Sequence, residues 1–353
     1  MIIIRQPKWT TVNYSKNRIE KAGREIVTDS LSDEQKAEAL EVVDNWRAAH
    51  AYPLQVIYMN LKRLSKGNNR IIVAQRLKRL DSIVGKLKRF NTMSLWKMQD
   101  LGGCRFVVPT IADVYKYRNL LEKSRIRHIH VGEDDDYIRS PKESGYRSLH
   151  AVYKYHSDKK TEFNRNMMIE IQFRTKLQHI WATAVETMGL FKNIDIKGGL
   201  GSTEVKRFFA LTSSLFAIEE KCTTVPNTPD DIGEIIRELK KLDSEYNFLD
   251  FLSTIRVATK LEEGNKQDKK YAYCVLSLDY ESHLITVRRF MPSEIDVANE
   301  YYSKLEMEKQ GKKVNNVLVR VSSFSDLKSA YPNYFSDISD FVFKIKRYLR
   351  QLQ

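Results

Sequence analysis

The segment MMIEIQFRT (167–175) alternates apolar and polar side chains, as a β-strand does when it buries one face. Its apolar face carries Ile169, Ile171 and Phe173. Its polar face carries Glu170, Gln172 and Arg174. The segments 101–108 and 148–155 are further strand candidates. Between them, the apolar residues of 111–124 have helical spacing, and a further helix is predicted from residue 176. Strands mixed with helices predict an α/β or α+β core.

The residues before this core predict helices. Ser32 and Gln35 have the spacing of a capping box, which would open a helix. A second helix is predicted over 54–64, after a break at Pro53. The segment 71–90 is dense in Lys and Arg and predicts one basic amphipathic helix.

The last third has its own pattern of helices and strands after VPNTPDD (225–231), which is typical of a linker. We expect strands over 271–280, 283–290 and 316–324, a polar loop over 262–270, and helices over 232–242, 248–261, 295–308 and from about 336. We therefore predict three parts, which are an N-terminal helical region (1–65), a central core (66–224) and a smaller α+β C-terminal domain (225–353).

Composition limits the class of protein. The chain has 353 residues, 42% hydrophobic and 29% charged, which indicates a globular protein of more than one domain. No apolar run is long enough to cross a bilayer, so we expect no membrane association and a cytoplasmic location. Its three cysteines, which are Cys104, Cys222 and Cys274, lie far apart and suggest neither a zinc site nor disulfides. The net charge of +14 predicts attraction to polyanions such as a nucleotide or RNA.

Two carboxylates are candidates for chemistry. Asp100 begins one predicted strand and Glu170 lies on the polar face of another. If those strands are neighbours, the two carboxylates converge and can hold Mg²⁺, as phosphoryl-type transfer requires. One of them can also accept the proton of an attacking hydroxyl group. On spacing alone, an ordinary ion pair between Glu170 and Arg174 is the simpler interpretation.

The loop DYIRSPKESGYRSLH (136–150) brings together Lys142, Tyr146, Arg147 and His150. Tyr146 could present its ring to a nucleotide base, and Lys142 could meet a phosphate. Alternatively, this is a surface loop whose tyrosine packs on the core.

Four motifs in order resemble the (p)ppGpp synthetase domain of the RelA/SpoT homologue family. They are RLKRLDSIVGK (76–86), DLGGCR (100–105), DYIRSPKESGYRSLH (136–150) and EIQFRT (170–175). The resemblance implies an α+β fold with a nucleotidyltransferase-like mixed sheet flanked by helices. It also implies an ATP-dependent pyrophosphokinase, in which a 3′ hydroxyl group attacks the β-phosphate of ATP and AMP leaves.

The resemblance assigns roles by position. Asp100 and Glu170 would bind Mg²⁺ and act as the catalytic pair, with Glu170 as the base. The donor ATP would be bound by Arg76, Lys78, Ser82, Lys86 and Arg105. The acceptor would be bound by Lys142, Tyr146, His150, Gln172 and Arg174. The segment WATAVETMGLFKN (181–193) departs from the family by placing Thr187 where histidine is expected, which leaves the identity of the acceptor open.

The segment SAYPNYFSDISDF (329–341) resembles the antitoxin-like domain of the CapRel group in the same superfamily. In that group the acceptor is the 3′ CCA end of tRNA, and a Y-x-x-Y motif holds the synthetase domain closed. Tyr331 and Tyr334 fit that motif and would be regulatory, although an aromatic turn that packs its own domain is an alternative. The resemblance implies an autoinhibited toxin of anti-phage defence, which a phage protein such as capsid releases through the C-terminal domain.

Two other functions stay open. A small alarmone synthetase would transfer pyrophosphate to GDP, GTP or an adenosine nucleotide with the same residues. A catalytically inactive sensor would bind nucleotide or RNA, although the presence of both Asp100 and Glu170 argues against it.

Overall fold

The computed structural model describes most of the chain. The described residues are 9–192, 201–255, 258–261, 272–279, 281–308, 314–320, 327, 331 and 338–351. The predicted polar loop over 262–270 and Tyr334 lie outside them.

Three helices precede the sheet: α1 (Lys16–Glu25), α2 (Asp33–Ala49) and α3 (Ala51–Leu64). The predicted capping box is confirmed, because Ser32 Oγ accepts from the amide of Gln35 and the Gln35 side chain accepts from the amide of Ser32. Pro53 does not break the chain as expected. It lies in the first turn of α3, where a missing amide hydrogen costs no helical hydrogen bond.

The prediction of one helix over 71–90 is wrong. The chain first forms strand β1 (Ile72–Leu77) and only then helix α4 (Leu80–Arg89). The physical reason is pairing, because β1 is hydrogen-bonded to a strand on each side and so satisfies its backbone groups without a helix. Arg76 therefore lies on a strand, and Lys78 lies in the short connection to α4.

The middle of the chain confirms the predicted strands and helices. Its elements are β2 (Gly102–Val108), α5 (Ile111–Glu122), β3 (Ile129–His130), β4 (Asp135–Asp136), β5 (Leu149–Lys154), β6 (Met168–Thr175) and α6 (Lys176–Lys192). Two short 3₁₀ turns lie at Leu95–Lys97 and Thr161–Phe163.

The remaining elements are α7 (Thr203–Glu219), α8 (Ile232–Tyr246), α9 (Phe248–Thr254), β7 (Ala258–Leu261), β8 (Tyr273–Asp279), β9 (Leu284–Phe290), α10 (Ile295–Glu308), β10 (Val314–Arg320) and, last, α11 (Ser339–Leu349). The predicted hairpin of β8 and β9 is confirmed. The predicted helix over 248–261 is wrong beyond Thr254, because the chain turns extended and β7 pairs in parallel with β9.

The described strands form one mixed sheet in the order β3-β5-β6-β2-β1-β10-β8-β9-β7, with β4 paired to β5. The pairs β2–β6 and β7–β9 are parallel, and the others are antiparallel. Helices flank this sheet, so the predicted α+β class is confirmed.

The sheet continues across the predicted boundary at residue 225. Strand β1 pairs with β2 on one side and with β10 of the last third on the other, in the register Gln75 to Arg320. An apolar cluster also crosses the boundary, since α11 places Phe341 near Phe209 and Phe216 of α7. The domain limits stay a prediction, but the last third is joined to the core by both backbone pairing and apolar packing.

No helix in the described ranges is long and apolar enough to cross a membrane.

Candidate active site

One face of the sheet collects several of the predicted site residues. Strands β2 and β6 are parallel neighbours, and Gly103 is in register with Glu170. On the other side of β2, Arg76 is in register with Gly103, so these three positions form a row across the sheet. Partners in register project to the same face. The predicted adjacency of the two strands is therefore confirmed, but Asp100 does not begin its strand as expected: it lies in the turn two residues before β2.

A second row lies beside the first on this face. Arg105 of β2 is in register with Gln172 of β6, and Gln172 is in register with His150 of β5. Side chains two residues apart on a strand share a face, so this row lies beside Arg76 and Glu170. The sheet therefore brings predicted donor-side and acceptor-side residues together around Glu170.

Asp100 is held by two lysines. Lys78 Nζ lies 2.9 Å from Oδ2 and Lys86 Nζ lies 2.9 Å from Oδ1 of this carboxylate. Burial alone would raise the pKa of the Asp100 carboxyl, but the two ammonium groups hold that pKa below its ordinary value. Lys86 reaches Asp100 from α4, where Ser82 lies one turn earlier and half-buried. The carboxylate is therefore ionised and gathered with the cationic groups predicted to bind the donor.

Glu170 is held by a different pair of donors. His150 Nδ1 lies 3.1 Å from Oε1, and Gln172 Nε2 donates to Oε2 at 2.6 Å. Burial opposes the charge of Glu170, but His150 and the Gln172 amide hold the pKa of its carboxyl well below its usual range. In the opposite direction, burial is outweighed by Tyr146 and Glu170, which raise the pKa of His150 to about 9. The pair is therefore an imidazolium facing a carboxylate.

Gln172 stands between Glu170 and Arg174 and bonds to both side chains. Arg174 Nη2 also reaches the Tyr146 hydroxyl at 3.4 Å. The simple alternative of a direct ion pair at a sheet edge therefore gives way to a chain of hydrogen bonds on a central strand, which is buried on both faces except around Glu170 and Gln172.

Tyr146 is only 9% exposed and belongs to the apolar cluster around Trp181. Its hydroxyl bonds to His150 Nε2 at 2.8 Å. The alternative of a tyrosine packed on the core is thus what the structure contains, and a stacking role for this ring stays a prediction. The exposed Lys142 lies 4.1 Å from the ring centre of Tyr137, a half-buried aromatic residue that the sequence reasoning missed although it stands in the same motif.

Gly145 allows the loop to turn beside the core. Its φ of +89° lies in the region that residues with a Cβ rarely adopt, and an added Cβ would lie 2.8 Å from Trp181 Cζ2 and 3.0 Å from the Phe209 carbonyl oxygen. We expect Gly145→Ala to lower the free energy of unfolding by more than about 2 kcal/mol, because backbone strain and a close contact add.

Urea unfolding checks this prediction, with Gly85→Ala as the matched control. Gly85 lies inside α4, and its added Cβ would meet nothing within 4 Å, so alanine there is expected to stabilise the protein by about 0.5–1 kcal/mol. Equal effects at the two glycines would contradict the tight packing of the loop.

Two further residues complete the donor side. Arg105 Nη2 lies 3.4 Å from Oε1 of Glu186 on α6, a carboxylate that the sequence did not single out although it directly precedes Thr187.

Tyr331 is 1% exposed, its ring centre lies 5.4 Å from the Arg105 guanidinium carbon, and its hydroxyl donates to the Gln75 carbonyl oxygen at 2.6 Å. The structure therefore places Tyr331 beside predicted donor residues, and Tyr334 lies outside the described residues.

The carboxylate oxygens of the site are suitable ligands for a hard cation, but the side chains do not form a complete metal site. Among the described residues, no group of three or more His, Cys, Asp or Glu side chains could hold a metal ion. Asp100 and Glu170 supply two carboxylates. Mg²⁺ commonly takes one or two carboxylates from a protein and binds substrate phosphate oxygens in addition.

Part of the chain is similar to known proteins. Residues 75–194 match the family model of the region found in RelA / SpoT proteins. That range includes the second half of β1, all of β2, β5 and β6, and all of the predicted catalytic, donor and acceptor residues.

Two curated relatives, both from Bacillus subtilis (strain 168), match about a third of the chain. GTP pyrophosphokinase YwaC is 31% identical over 115 residues, and GTP pyrophosphokinase YjbM is 32% identical over 113 residues. Each match covers 31% of this chain and 52% of the relative. The chain thus spans about half the length of the curated relatives it matches.

Solved structures of small alarmone synthetases from Bacillus subtilis are also similar. Small alarmone synthetase 2 matches with a TM-score of 0.41 and 22% identity, over 50% of this chain and 93% of that one. Small alarmone synthetase 1 bound to its product pppGpp matches with a TM-score of 0.43 and 25% identity, over 49% and 89%.

Proposed function

We propose that the chain is a pyrophosphokinase that moves the β,γ-pyrophosphate of ATP onto the 3′ hydroxyl group of a nucleotide. The observation that carries this proposal is that Asp100, in the turn before β2, and Glu170, on the parallel neighbour β6, are close enough to affect each other's charge, and each has its own cationic partners. Both lie inside the RelA/SpoT region.

The chemistry follows from where the charges lie. The acceptor oxygen attacks the β-phosphorus, the bond from that phosphorus to the α,β-bridging oxygen breaks, and AMP leaves. Glu170 would accept the proton of the attacking hydroxyl group once its oxygens leave His150 and Gln172, because those two donors lower the pKa of its carboxyl and so weaken it as a base. Lys78, Lys86 and Arg105 lie on the donor side, where they would neutralise the phosphates.

Asp100 and Glu170 would hold Mg²⁺, which would supply further neutralisation of the donor phosphates. Lys78 and Lys86 now bond to the two oxygens of Asp100, so these lysines would turn toward the phosphates when donor and metal bind.

We propose tRNA as the acceptor, through its 3′ CCA end, with a loss of translation as the result. The net charge of +14 supports a polyanionic partner, since polynucleotide binding draws on many cationic contacts. The resemblance of the last third to the CapRel group supports a role as an anti-phage toxin, released by a phage protein such as capsid. A cytoplasmic location fits this role.

We further propose that Tyr331 holds the donor side closed. The support is its complete burial between the core and the last third, next to Arg105 and bonded to the strand that carries Arg76. An ATP molecule bound by Arg105 would compete with this ring for the same guanidinium group.

A second contact from the last third reaches the donor side. Glu306 of α10 is 3% exposed, and its Oε2 accepts from the amide of Leu80, the first residue of α4, at 3.1 Å. The N-terminus of a helix attracts anions. The last third thus places a carboxylate at the end of the helix from which Lys86 extends.

The printed names of YwaC and YjbM favour a second candidate, in which GDP or GTP is the acceptor. A labelling experiment separates the two. The protein and its Tyr331→Ala variant are incubated with γ-labelled ATP and either tRNA or GDP and GTP. Substitution is preferable to deletion of 225–353, because deletion would take β10 away from β1.

Label in tRNA supports the proposal, and label only in guanosine nucleotides supports the second candidate. If no acceptor is labelled by either protein, and Asp100→Ala leaves any toxicity in cells unchanged, the inactive sensor becomes the better account.

A further inference from the structure

Two adjacent carboxylates lie at the C-terminal end of helix α7, beyond the RelA/SpoT region, and they face different partners: Glu219 is the last residue of the helix and Glu220 is its C-cap. Glu219 accepts from Lys344 Nζ at 2.6 Å and from the Tyr348 hydroxyl, both on α11. Glu220 turns inward, and its side chain is 8% exposed. Glu219 thus joins α7 to the C-terminal helix, whereas Glu220 bonds to other partners.

Glu220 gathers donors from three elements. Arg147 Nη2 of the acceptor loop lies 2.8 Å from Oε2, and Gln178 Nε2 of the first turn of α6 lies 3.4 Å from the same oxygen. The hydroxyl of Thr175, the last residue of β6, donates to Oε1. One carboxylate therefore joins the loop to the strand that carries Glu170 and to the helix that follows it.

The loop is fixed on both sides of Tyr146. Arg147 is only 2% exposed, and Ser213 of α7 donates from Oγ to the Gly145 carbonyl oxygen at 2.6 Å. Ser148 Oγ donates to the Phe173 carbonyl oxygen at 3.1 Å. These contacts aim Tyr146 at His150, the partner of Glu170.

The positive charge of buried Arg147 is balanced by Glu220. Within the described residues, Arg147 Nε and Nη1 have no hydrogen-bond partner. The bond from Nη2 to Glu220 is therefore the contact that offsets the burial of the guanidinium charge. A buried guanidinium that loses its carboxylate is strongly disfavoured, and the loop would move to expose it.

We propose that Glu220 is a positioning residue for acceptor binding: by holding Arg147, it keeps the loop 136–148 in the conformation that the acceptor meets. The inference rests on the proposed pyrophosphate transfer. It assigns control over the acceptor side alone to the residue that caps α7, outside the matched region. The side-chain contacts of Glu220 in the described part of the chain are with Arg147, Thr175 and Gln178, none of which is predicted to bind the donor.

The test compares Glu220→Gln with the parent protein, and uses Glu133→Gln as the control because Glu133 is exposed and lies outside this network. We expect KM for the acceptor to rise at least about tenfold in Glu220→Gln, while KM for ATP changes by less than about twofold. Glu220→Asp, which keeps the charge, is expected to raise KM for the acceptor less. Equal rises in both KM values, or no rise for the acceptor, would overturn the inference.

Amide hydrogen exchange provides a second readout that needs no activity. Exchange in peptides that cover 139–148 is expected to increase in Glu220→Gln, while exchange over 80–89 in α4 stays as in the parent. Unchanged exchange in the loop, or an increase spread over both segments, would also overturn the inference. If the parent transfers pyrophosphate to no acceptor, the proposed function fails while hydrogen exchange still decides whether Glu220 holds the loop.

Discussion

Replacing Glu170 with glutamine is expected to lower kcat for pyrophosphate transfer by about 10³-fold, whichever acceptor is used. Glutamine keeps the shape of the side chain, but it cannot accept the proton of the attacking hydroxyl group, and general bases contribute about 10²–10⁴-fold. It also removes one of the two carboxylates that would hold the metal. Initial rates of label transfer from γ-labelled ATP, measured in the most active form of the protein, check this prediction.

The control for Glu170→Gln is Glu133→Gln, which changes an exposed carboxylate of the same region. The substitution leaves His150 buried beside a neutral partner, which can destabilise the fold. Thermal melting therefore separates an effect on chemistry from an effect on folding. A folded Glu170→Gln protein with a rate within about tenfold of the parent would place the base elsewhere and remove the main support for the mechanism.

Tyr331→Ala is expected to raise the rate of transfer at least about tenfold and to make expression of the protein toxic. The ring is almost completely buried beside Arg105, and loss of a large buried aromatic side chain costs about 3–5 kcal/mol of packing, which here is lost from the closed state. Since about 1.4 kcal/mol changes an equilibrium tenfold, the closed state would lose much of its population. Transfer assays and growth on induction measure the two effects.

Tyr331→Phe is the matched control, because it removes only the hydroxyl bond to the Gln75 carbonyl oxygen and keeps the ring. Its rate is expected to lie between those of the parent and Tyr331→Ala. The motif alone predicts the same result for Tyr334→Ala. General unfolding would lower the rate of transfer, so unfolding cannot explain a rise. An unchanged rate at normal protein levels would argue against the proposal that Tyr331 holds the donor side closed.

The strand over 167–175 and its polar face could be predicted from alternation alone, because one buried face imposes a period of two. The adjacency of Asp100 and Glu170 could only be stated as a condition. It depends on the parallel pairing of β2 with β6, and nothing local to either strand specifies a partner so distant in the chain.

The segment 71–90 shows why one pattern misled. Its first half contains Ile72, Val73 and Leu77, which fit an apolar helix face as well as a strand. Pairing with β2 and β10 decides in favour of a strand, and tertiary contacts of that kind override local preference. The bond between Arg147 and Glu220 was equally hidden, because the two residues are 73 positions apart and neither belongs to a periodic pattern.

Tyr331 and the carbonyl group that it bonds are 256 residues apart in the chain. A ribosome that adds about 5–20 residues per second needs roughly 13–50 seconds to travel that distance. During this interval β1 has left the ribosome without β10, and an unpaired strand edge is open to other partners. Each newly made chain therefore completes β2 and β6 well before Tyr331 exists. If Tyr331 holds the donor side closed, as proposed above, translation that stalls in the last third would leave a nascent chain whose donor side is not closed.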